Sequence, residues 1–166
     1  MSEKKLVVDT LNFNYEGVFS VSELYKEINH WLYERGYSLF EKKNSENITS
    51  TGRNIEFELR PYKSITNYAK NEIRIKIFMT DIKDLEVEKE KIKKKLNEGS
   101  VEIIFDGYVE TDYENRWENK PFFYFFRSLI DKFVYRIYTD KFENMIVSDI
   151  YTIHTRIKTF LNLYRY

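Results

Sequence analysis

The feature that most constrains the fold is an apolar stripe in the last third of the sequence. Large apolar residues recur there at steps of three and four: Phe142, Ile146, Ile150, Ile153, Ile157, Phe160 and Tyr164. This period places them all on one face of an α-helix. The residues between them supply a polar back: Glu143, Asp149, Thr152, Arg156, Lys158, Asn162 and Arg165. The pattern predicts a long amphipathic helix that closes over the part of the chain preceding it.

A second predicted helix, residues 121–138, precedes the stripe and is apolar on nearly every side. Its apolar residues are Phe122, Phe123, Phe125, Phe126, Leu129, Ile130, Phe133, Val134 and Ile137. A helix of this kind is normally covered on several sides, so we expect it at the centre of the core. A membrane span needs about 20 mostly apolar residues. Charged residues interrupt this segment at Arg127, Asp131, Lys132 and Arg136, which argues against a span.

Composition sets the class of protein. The chain has 166 residues and balances 27 basic against 27 acidic side chains, so no long-range field attracts nucleic acid or an anionic membrane. The absence of cysteine excludes disulfides, thiolate catalysis and cysteine metal sites. The first residues show no signal-peptide pattern, and we expect a cytoplasmic protein. We expect one domain over residues 1–166, with the sheet and first helix in 5–113 and the helical pair in 120–166.

The N-terminal part predicts a strand and then a helix. Residues 6–15 change their alternation near Asp9, which indicates a bulged strand. Ser20 and Glu23 form a capping box before a helical stripe, and Gly36 is a typical stop. The sequence therefore predicts a helix over 21–35.

The middle of the chain predicts mostly antiparallel strands. Strands are expected at 37–43, at 55–60 and at 72–79, and the loop over 61–70 is long. Residues 82–98 favour a hairpin, with a single helix as the alternative. After Gly99, one strand face carries Val101, Ile103, Phe105, Val109 and Thr111, and the other carries Glu102, Asp106, Tyr108, Glu110 and Asp112. Gly107 falls on the apolar face, where a bulge or a closely packed helix would explain it.

This element order predicts an α+β protein: an antiparallel sheet of five to seven strands, covered on one face by an N-terminal helix and two C-terminal helices. The order is similar to that of helix-grip (START-like) domains, although those usually end in one helix. In detail the chain resembles a set of uncharacterised archaeal proteins. The resemblance rests on the Arg-Gly-Tyr step at 35–37, a strand ending near Asp112-Tyr113, and the motif around His154 at 153–161. It implies no activity.

Catalytic and metal-binding patterns are weak. His30 and His154 lie at the edges of helical stripes, and neither has a second histidine one turn away. Carboxylates are dense from Asp106 onward, at Glu110, Asp112, Glu114 and Glu118, which would suit acid–base chemistry or a hard cation. We interpret the row instead as an exposed face, paired with lysines of a neighbouring return strand. A carboxylate needs burial for its pKa to be strongly shifted, and we expect the carboxylates on this face to be exposed.

Two surface patches are candidate binding sites. The first is the concentrated positive charge of Lys91, Lys93, Lys94 and Lys95, which could contact a polyanion. Neighbouring glutamates dilute this charge, and no aromatic residue is interleaved for base stacking, which argues against nucleic acid. The second patch, Tyr108, Tyr113, Arg116, Trp117 and Tyr124, suits a protein interface if exposed and is core if buried.

The function expected from these patterns is non-catalytic binding or assembly, with a protein or a second copy of the chain as partner. The alternative is a carrier of a small apolar ligand in a cavity between the sheet and the C-terminal helices. An enzyme ranks third, because no catalytic constellation is present. We expect no cofactor and no metal.

Overall fold

The computed structural model describes residues 3–89, 92–111 and 135–164. Two helices and six strands lie within these ranges. In chain order they are β1 (Glu3–Phe19), α1 (Val21–Glu34), β2 (Glu41–Ile48), β3 (Arg53–Leu59), β4 (Tyr62–Ser64), β5 (Ala69–Lys89), β6 (Ile92–Thr111) and α2 (Tyr135–Asn162). The protein is therefore α+β, as the alternation of patterns predicts.

The six strands form one antiparallel sheet in the order β1-β6-β5-β3-β2, with the short β4 added to β5. Its central feature is the long hairpin of β5 and β6, whose ladder runs from Ala69 opposite Thr111 to Lys89 opposite Ile92. Leu85 lies opposite Leu96 in this ladder. The prediction of a hairpin over 82–98 is confirmed.

The start of α1 follows its sequence signature. The Ser20 Oγ accepts a hydrogen bond from the Glu23 backbone N–H at 3.3 Å, as a capping serine does. Phe19 and Leu24, on either side of the cap, are both fully buried. This arrangement fixes the direction in which α1 leaves β1 and lies over the sheet.

The predicted bulge in β1 is confirmed. The register against β6 shifts between Leu6 and Val8 and again between Val8 and Leu11. Between these shifts Thr10 adopts a left-handed backbone, with φ of 52°. The irregularity turns the Thr10 backbone N–H out of the ladder and towards the Asp106 carboxylate, 3.0 Å away.

The inner face of the sheet packs against α1 and α2 in one core. It comprises Val8, Tyr15, Phe19, Leu24, Ile28, Trp31, Leu32, Tyr37, Ile55, Leu59, Ala69, Ile73, Ile75, Ile77, Met79, Ile82, Val101, Ile103, Phe105, Val109, Phe142, Ile146, Ile150, Ile153, Ile157 and Leu161. At its centre, a Cβ on Gly107 would come within 2.5 Å of Ile150 Cδ1. Glycine is therefore what lets α2 approach β6 closely.

Two boundary predictions are wrong. The segment 37–43 is not a strand throughout: Tyr37 closes the end of α1, Ser38 makes an isolated bridge to Tyr62, and β2 begins only at Glu41. The predicted division between two C-terminal helices near residue 138 is also absent, since α2 runs unbroken from Tyr135 to Asn162. The predicted helix residues 121–134, with their place in the core, lie outside the described residues.

The outer face of the sheet is charged, but its pairing differs from the prediction. Lys93 and Lys95 do not lie on a strand beside the acids. They belong to β6 itself, and in the register they oppose Glu88 and Glu86. The acids of β6 pair with bases of β5 instead, Asp106 with Arg74 at 2.7 Å and Glu110 with Lys70 at 3.1 Å.

The prediction that this face leaves its carboxylates exposed is wrong at Asp106, which is 1% exposed. Within the long loop predicted over 61–70, Tyr62–Ser64 form the short strand β4. Among the described residues, neither helix is apolar enough over a sufficient length to cross a membrane.

Candidate functional site

Two clefts lie at opposite ends of α1 and differ in how well their polar groups are paired. The cleft at its N-terminal end, about 620 Å³, includes Arg53, Asp84 and Asn97. Arg53 pairs there with Asp84, and Asn97 donates to Asp84 at 2.8 Å. The cleft at the other end, about 700 Å³, contains a buried carboxylate that is only partly bonded. We take this second cleft as the candidate site.

The α1–α2 cleft is lined by Arg35, Lys63, Asp140, Lys141, Asn144, Met145, Ser148 and Asp149. Residues of α2 spaced by three and four form one wall, as the helical repeat requires. Arg35, at the end of α1, and Lys63, on β4, form the other. The site therefore depends on three separate elements meeting at one place.

The end of α1 positions the first wall through a Schellman motif. The Tyr37 backbone N–H donates to the Leu32 carbonyl at 2.9 Å, and that of Gly36 donates to the Tyr33 carbonyl at 3.0 Å. Gly36 takes the left-handed backbone that this motif needs, with φ of 73°. The chain reverses there, so that the Tyr37 ring stacks on Trp31, with 6.1 Å between ring centroids.

Asp149 is the buried charge of the site. Its residue is 7% exposed, and its Oδ2 accepts a hydrogen bond of 2.9 Å from the Tyr37 hydroxyl. Its Oδ1 has one charged neighbour among the described residues, the Arg35 guanidinium at 3.8 Å. That distance is too long for a hydrogen bond. One oxygen of a buried carboxylate thus lacks a direct donor within the described chain.

Aromatic rings position two of the cations around this carboxylate. The Arg35 guanidinium lies 5.7 Å from the centre of the Trp31 ring, and the Lys63 ammonium lies 5.7 Å from the centre of the Tyr37 ring. Cation–π contacts at these distances are favourable and restrict long side chains. Lys63 and Lys141 have no ion-pair partner within the described ranges. The described residues of the lining comprise three cations and two carboxylates, which gives them a net positive charge.

Tyr37 cannot act as a nucleophile or a base near neutral pH. Burial raises the pKa of its hydroxyl far above the usual value, and the charge of Asp149 beside it raises that pKa further. The phenol therefore keeps its proton and donates a hydrogen bond to Asp149. The chemistry open to the site is hydrogen bonding and charge pairing.

Neither histidine belongs to this cleft. The His154 ring lies edge-on to Phe13 and Phe105, with centroids 5.8 and 6.1 Å away. Burial, with a smaller contribution from Lys158, lowers the pKa of His154, so the ring favours its neutral form. His30 is exposed on α1, 3.2 Å from Glu34. In the part of the chain described, no three histidine or carboxylate side chains gather as a metal site would require.

The two predicted patches lie elsewhere. In the lysine patch, Lys95 is exposed near the α1 N-terminal cleft, the backbone of Lys93 and Lys94 is in β6, and Lys91 is outside the described residues. In the aromatic patch, Tyr108 is half-buried on the outer face, with the Lys4 ammonium 4.5 Å from its ring centre. The others, Tyr113, Arg116, Trp117 and Tyr124, fall outside the described residues.

The residues that define the site are not predicted from the sequence. The prediction that Asp149 lies on the polar back of the helix is wrong, because the residue is buried against Tyr37. The prediction that Tyr37 lies in a strand is also wrong. The signal that pointed to this place is the Arg-Gly-Tyr step at 35–37, which supplies both Arg35 and Tyr37 to Asp149.

No family model matches the chain, and neither the curated proteins nor the solved structures searched contain a match to it.

Proposed function

We propose that this protein is a non-catalytic binding protein and that its partner binds in the α1–α2 cleft. The observation that carries the proposal is the buried Asp149 carboxylate, which has one oxygen bonded to Tyr37 and the other directed to a guanidinium 3.8 Å away. Asp149 Oδ1 has no hydrogen-bond donor among the described residues, and Asp149 belongs to the lining of the cleft, where a ligand can reach it. A partner that donates to this oxygen would gain a charge-assisted hydrogen bond.

The chemistry of the cleft supports binding over catalysis. Catalysis by acid–base or nucleophilic steps needs a group whose pKa lies near the working pH, or a nucleophile beside a base. Tyr37 is held protonated, and the described residues that line the cleft include no histidine. Ser148 is in the lining, but it has no imidazole beside it there.

The packing beneath α2 favours this proposal over an apolar-ligand carrier. Ile146, Ile150 and Ile153 are fully buried against the sheet. The 2.5 Å approach of Ile150 to the position of a Gly107 Cβ indicates a filled contact between α2 and β6. Filled cores of this kind have few voids larger than a water molecule. We therefore expect fatty acids and the dye ANS to leave the melting temperature unchanged.

Charge argues against nucleic acid as the partner. The molecule has no net charge, and the described lysine of the patch, Lys95, lies opposite Glu86 in the ladder. Binding to a polyanion depends on several unneutralised cations along one surface. We expect binding to DNA or RNA to be negligible at physiological salt.

A titration followed by nuclear magnetic resonance tests the proposal. The full chain is titrated separately with small acids, small amines and compounds that carry both groups. At least one class should shift the backbone amide signals of Arg35, Gly36 and Tyr37, together with those of residues 141–149, and raise the melting temperature. If all three classes leave these signals in place, the cleft does not bind small charged ligands and the proposal is abandoned.

A further inference from the structure

The polar groups of the α1–α2 cleft indicate the chemical class of its ligand. This inference rests on the proposed function and deepens it. We propose that the cleft binds a small molecule with an amino group at one end and an acid group, a carboxylate or a phosphate, at the other. The amino group donates to Asp149 Oδ1, and the acid group pairs with Lys63 and Lys141.

The amino end follows from Asp149. Its Oδ1 can accept a donor, whereas its Oδ2 already accepts the Tyr37 hydroxyl at 2.9 Å. Arg35, at 3.8 Å, compensates the charge of Asp149 without donating a hydrogen bond to Oδ1. Hydrogen bonds between a charged donor and a carboxylate are among the stronger ones in proteins. An ammonium group is thus the ligand group that completes this carboxylate.

The acid end follows from the lysines. Lys63 is placed by the Tyr37 ring, and Lys141 is on the exposed part of the α2 wall. Neither is neutralised by a carboxylate within the described residues. Lysine ammonium groups pair with carboxylates and with phosphates alike, so the two acid groups share one chemistry here.

Simpler ligands fit the cleft less well. An acid without an amino group would bring a negative charge towards the buried Asp149 and leave Oδ1 unbonded. An amine without an acid group would meet described lining residues that carry one more positive than negative charge. A volume of about 700 Å³ lies within the range of small-molecule sites. Only a molecule with both groups satisfies both sides.

Matched compounds test this assignment on the full-length protein. The first set is γ-aminobutyrate, butyrate and butylamine, and the second is phosphoethanolamine and inorganic phosphate. We expect γ-aminobutyrate to bind about tenfold more tightly than butyrate or butylamine, since one charge-assisted hydrogen bond is worth about that factor. Comparison of γ-aminobutyrate with phosphoethanolamine then identifies the preferred acid group.

Variants assign each end of the ligand to its residue. Asp149→Asn should weaken γ-aminobutyrate about tenfold and should not weaken butyrate, while Lys63→Met should weaken both. Lys26→Met, on an exposed lysine of α1 outside the cleft, is the control and should change nothing. Because Lys63→Met removes a surface charge, it keeps the test decisive even if Asp149→Asn folds poorly.

The outcomes separate the two proposals. Equal affinity for γ-aminobutyrate and butyrate, unaffected by Asp149→Asn, would overturn the assignment of an amino group while leaving a binding cleft. A complete lack of binding by all five compounds, with cleft amide signals unmoved, would overturn the proposed function as well. Binding that survives both Asp149→Asn and Lys63→Met would place the ligand elsewhere and overturn both.

Discussion

Asp106 and Asp149 are both buried aspartates, but they differ in how many of their carboxylate oxygens accept a hydrogen bond from the described residues. Asp106, on the outer face of the sheet, accepts hydrogen bonds from Arg74 Nε at 2.8 Å and from the Thr10 backbone N–H at 3.0 Å, and so uses both oxygens. Asp149, in the α1–α2 cleft, has a hydrogen bond to Tyr37 on one oxygen and a guanidinium 3.8 Å from the other.

The difference follows from which elements supply the partners. Arg74 lies opposite Asp106 in the register of β5 and β6, and Thr10 lies in the bulge of β1, which flanks β6 on its other side. The partners of Asp149 come from the loop after α1, which the ladder does not hold. Removing one partner of a buried pair whose hydrogen bonds are all made within the sheet is strongly destabilising. One with an open oxygen beside a cleft is available to a ligand.

The largest effect that tests this comparison is expected at Asp106. The substitution Asp106→Asn directs an amide N–H or an uncharged oxygen at Arg74 and leaves the guanidinium without its counter-charge. Removing one partner of a buried pair is strongly destabilising, and we expect a loss of about 3 kcal/mol in the free energy of unfolding. Urea denaturation at neutral pH measures it.

A double variant separates the charge from the packing. Replacing the pair together, Arg74→Met with Asp106→Leu, removes both charges at once and should recover part of that loss. If Asp106→Asn alone unfolds at the same urea concentration as the unmodified protein, the charge of Asp106 does not stabilise the fold, and the contrast with Asp149 fails.

The second effect is expected on the inner face of β6, where tight packing at Gly107, and not a buried charge, limits which substitutions the protein tolerates. Gly107→Ala places a methyl group 2.5 Å from Ile150 Cδ1 and 3.3 Å from Val8 Cβ. Overpacking of this kind costs about 1–3 kcal/mol. Ile150→Val deletes the clashing methyl and should restore most of the loss in the double variant. Loss without rescue would mean that the strain lies in the backbone of β6.

The sequence predicts the inner face better than the outer one. Alternation and helical period identify which residues turn inward, because the hydrophobic effect acts on every apolar side chain in the same way. Gly107 was assigned correctly for that reason. Asp106 and Asp149 were both expected to be exposed, since the partners that bury them are distant in the chain: Arg74 is 32 residues from Asp106, and Tyr37 is 112 from Asp149.

The sequence pattern does not predict the cleft either, because its residues are also distant from one another in the chain. Its walls come from α1, β4 and α2, and no periodicity within one element records how three elements meet. The short strand β4 is another case: Tyr62, Lys63 and Ser64 show no strand pattern of their own, and they are paired because β5 offers them an edge. Local signals such as the Ser20 cap and the Gly36 stop succeed because their partners are neighbours in sequence.

The third test is the loss of stability at alkaline pH, which depends on the pKa of the tyrosine near each aspartate: Tyr37 near Asp149 and Tyr108 near Asp106. Burial and then Asp149 raise the pKa of Tyr37, so the unfolded chain releases this proton near pH 10 while the folded chain keeps it. The unfolded state then binds fewer protons, and stability falls by about 1.4 kcal/mol per pH unit above that value. Tyr37→Phe should remove this part of the slope above about pH 10.

Tyr108 is the matched control near Asp106. Burial raises its pKa, but the Arg74 guanidinium opposes the shift. Tyr108→Phe should therefore change the alkaline slope less than Tyr37→Phe does. The reverse order would show that the Tyr37 phenol is not the buried donor that holds Asp149.

The smallest effect is expected at Asp149 itself, and it decides the comparison. Asp149→Asn keeps the shape of the side chain and an oxygen for the Tyr37 hydroxyl. It removes a charge whose one cationic neighbour among the described residues is 3.8 Å away. Because the desolvation penalty of that charge also disappears, we expect the free energy of unfolding to change by about 0.5 kcal/mol or less, in either direction. The same urea experiment should thus separate two equivalent substitutions, Asp106→Asn and Asp149→Asn, by about 2–3 kcal/mol. Equal losses would mean that Asp149 is as structurally committed as Asp106, and its open oxygen would no longer support a ligand.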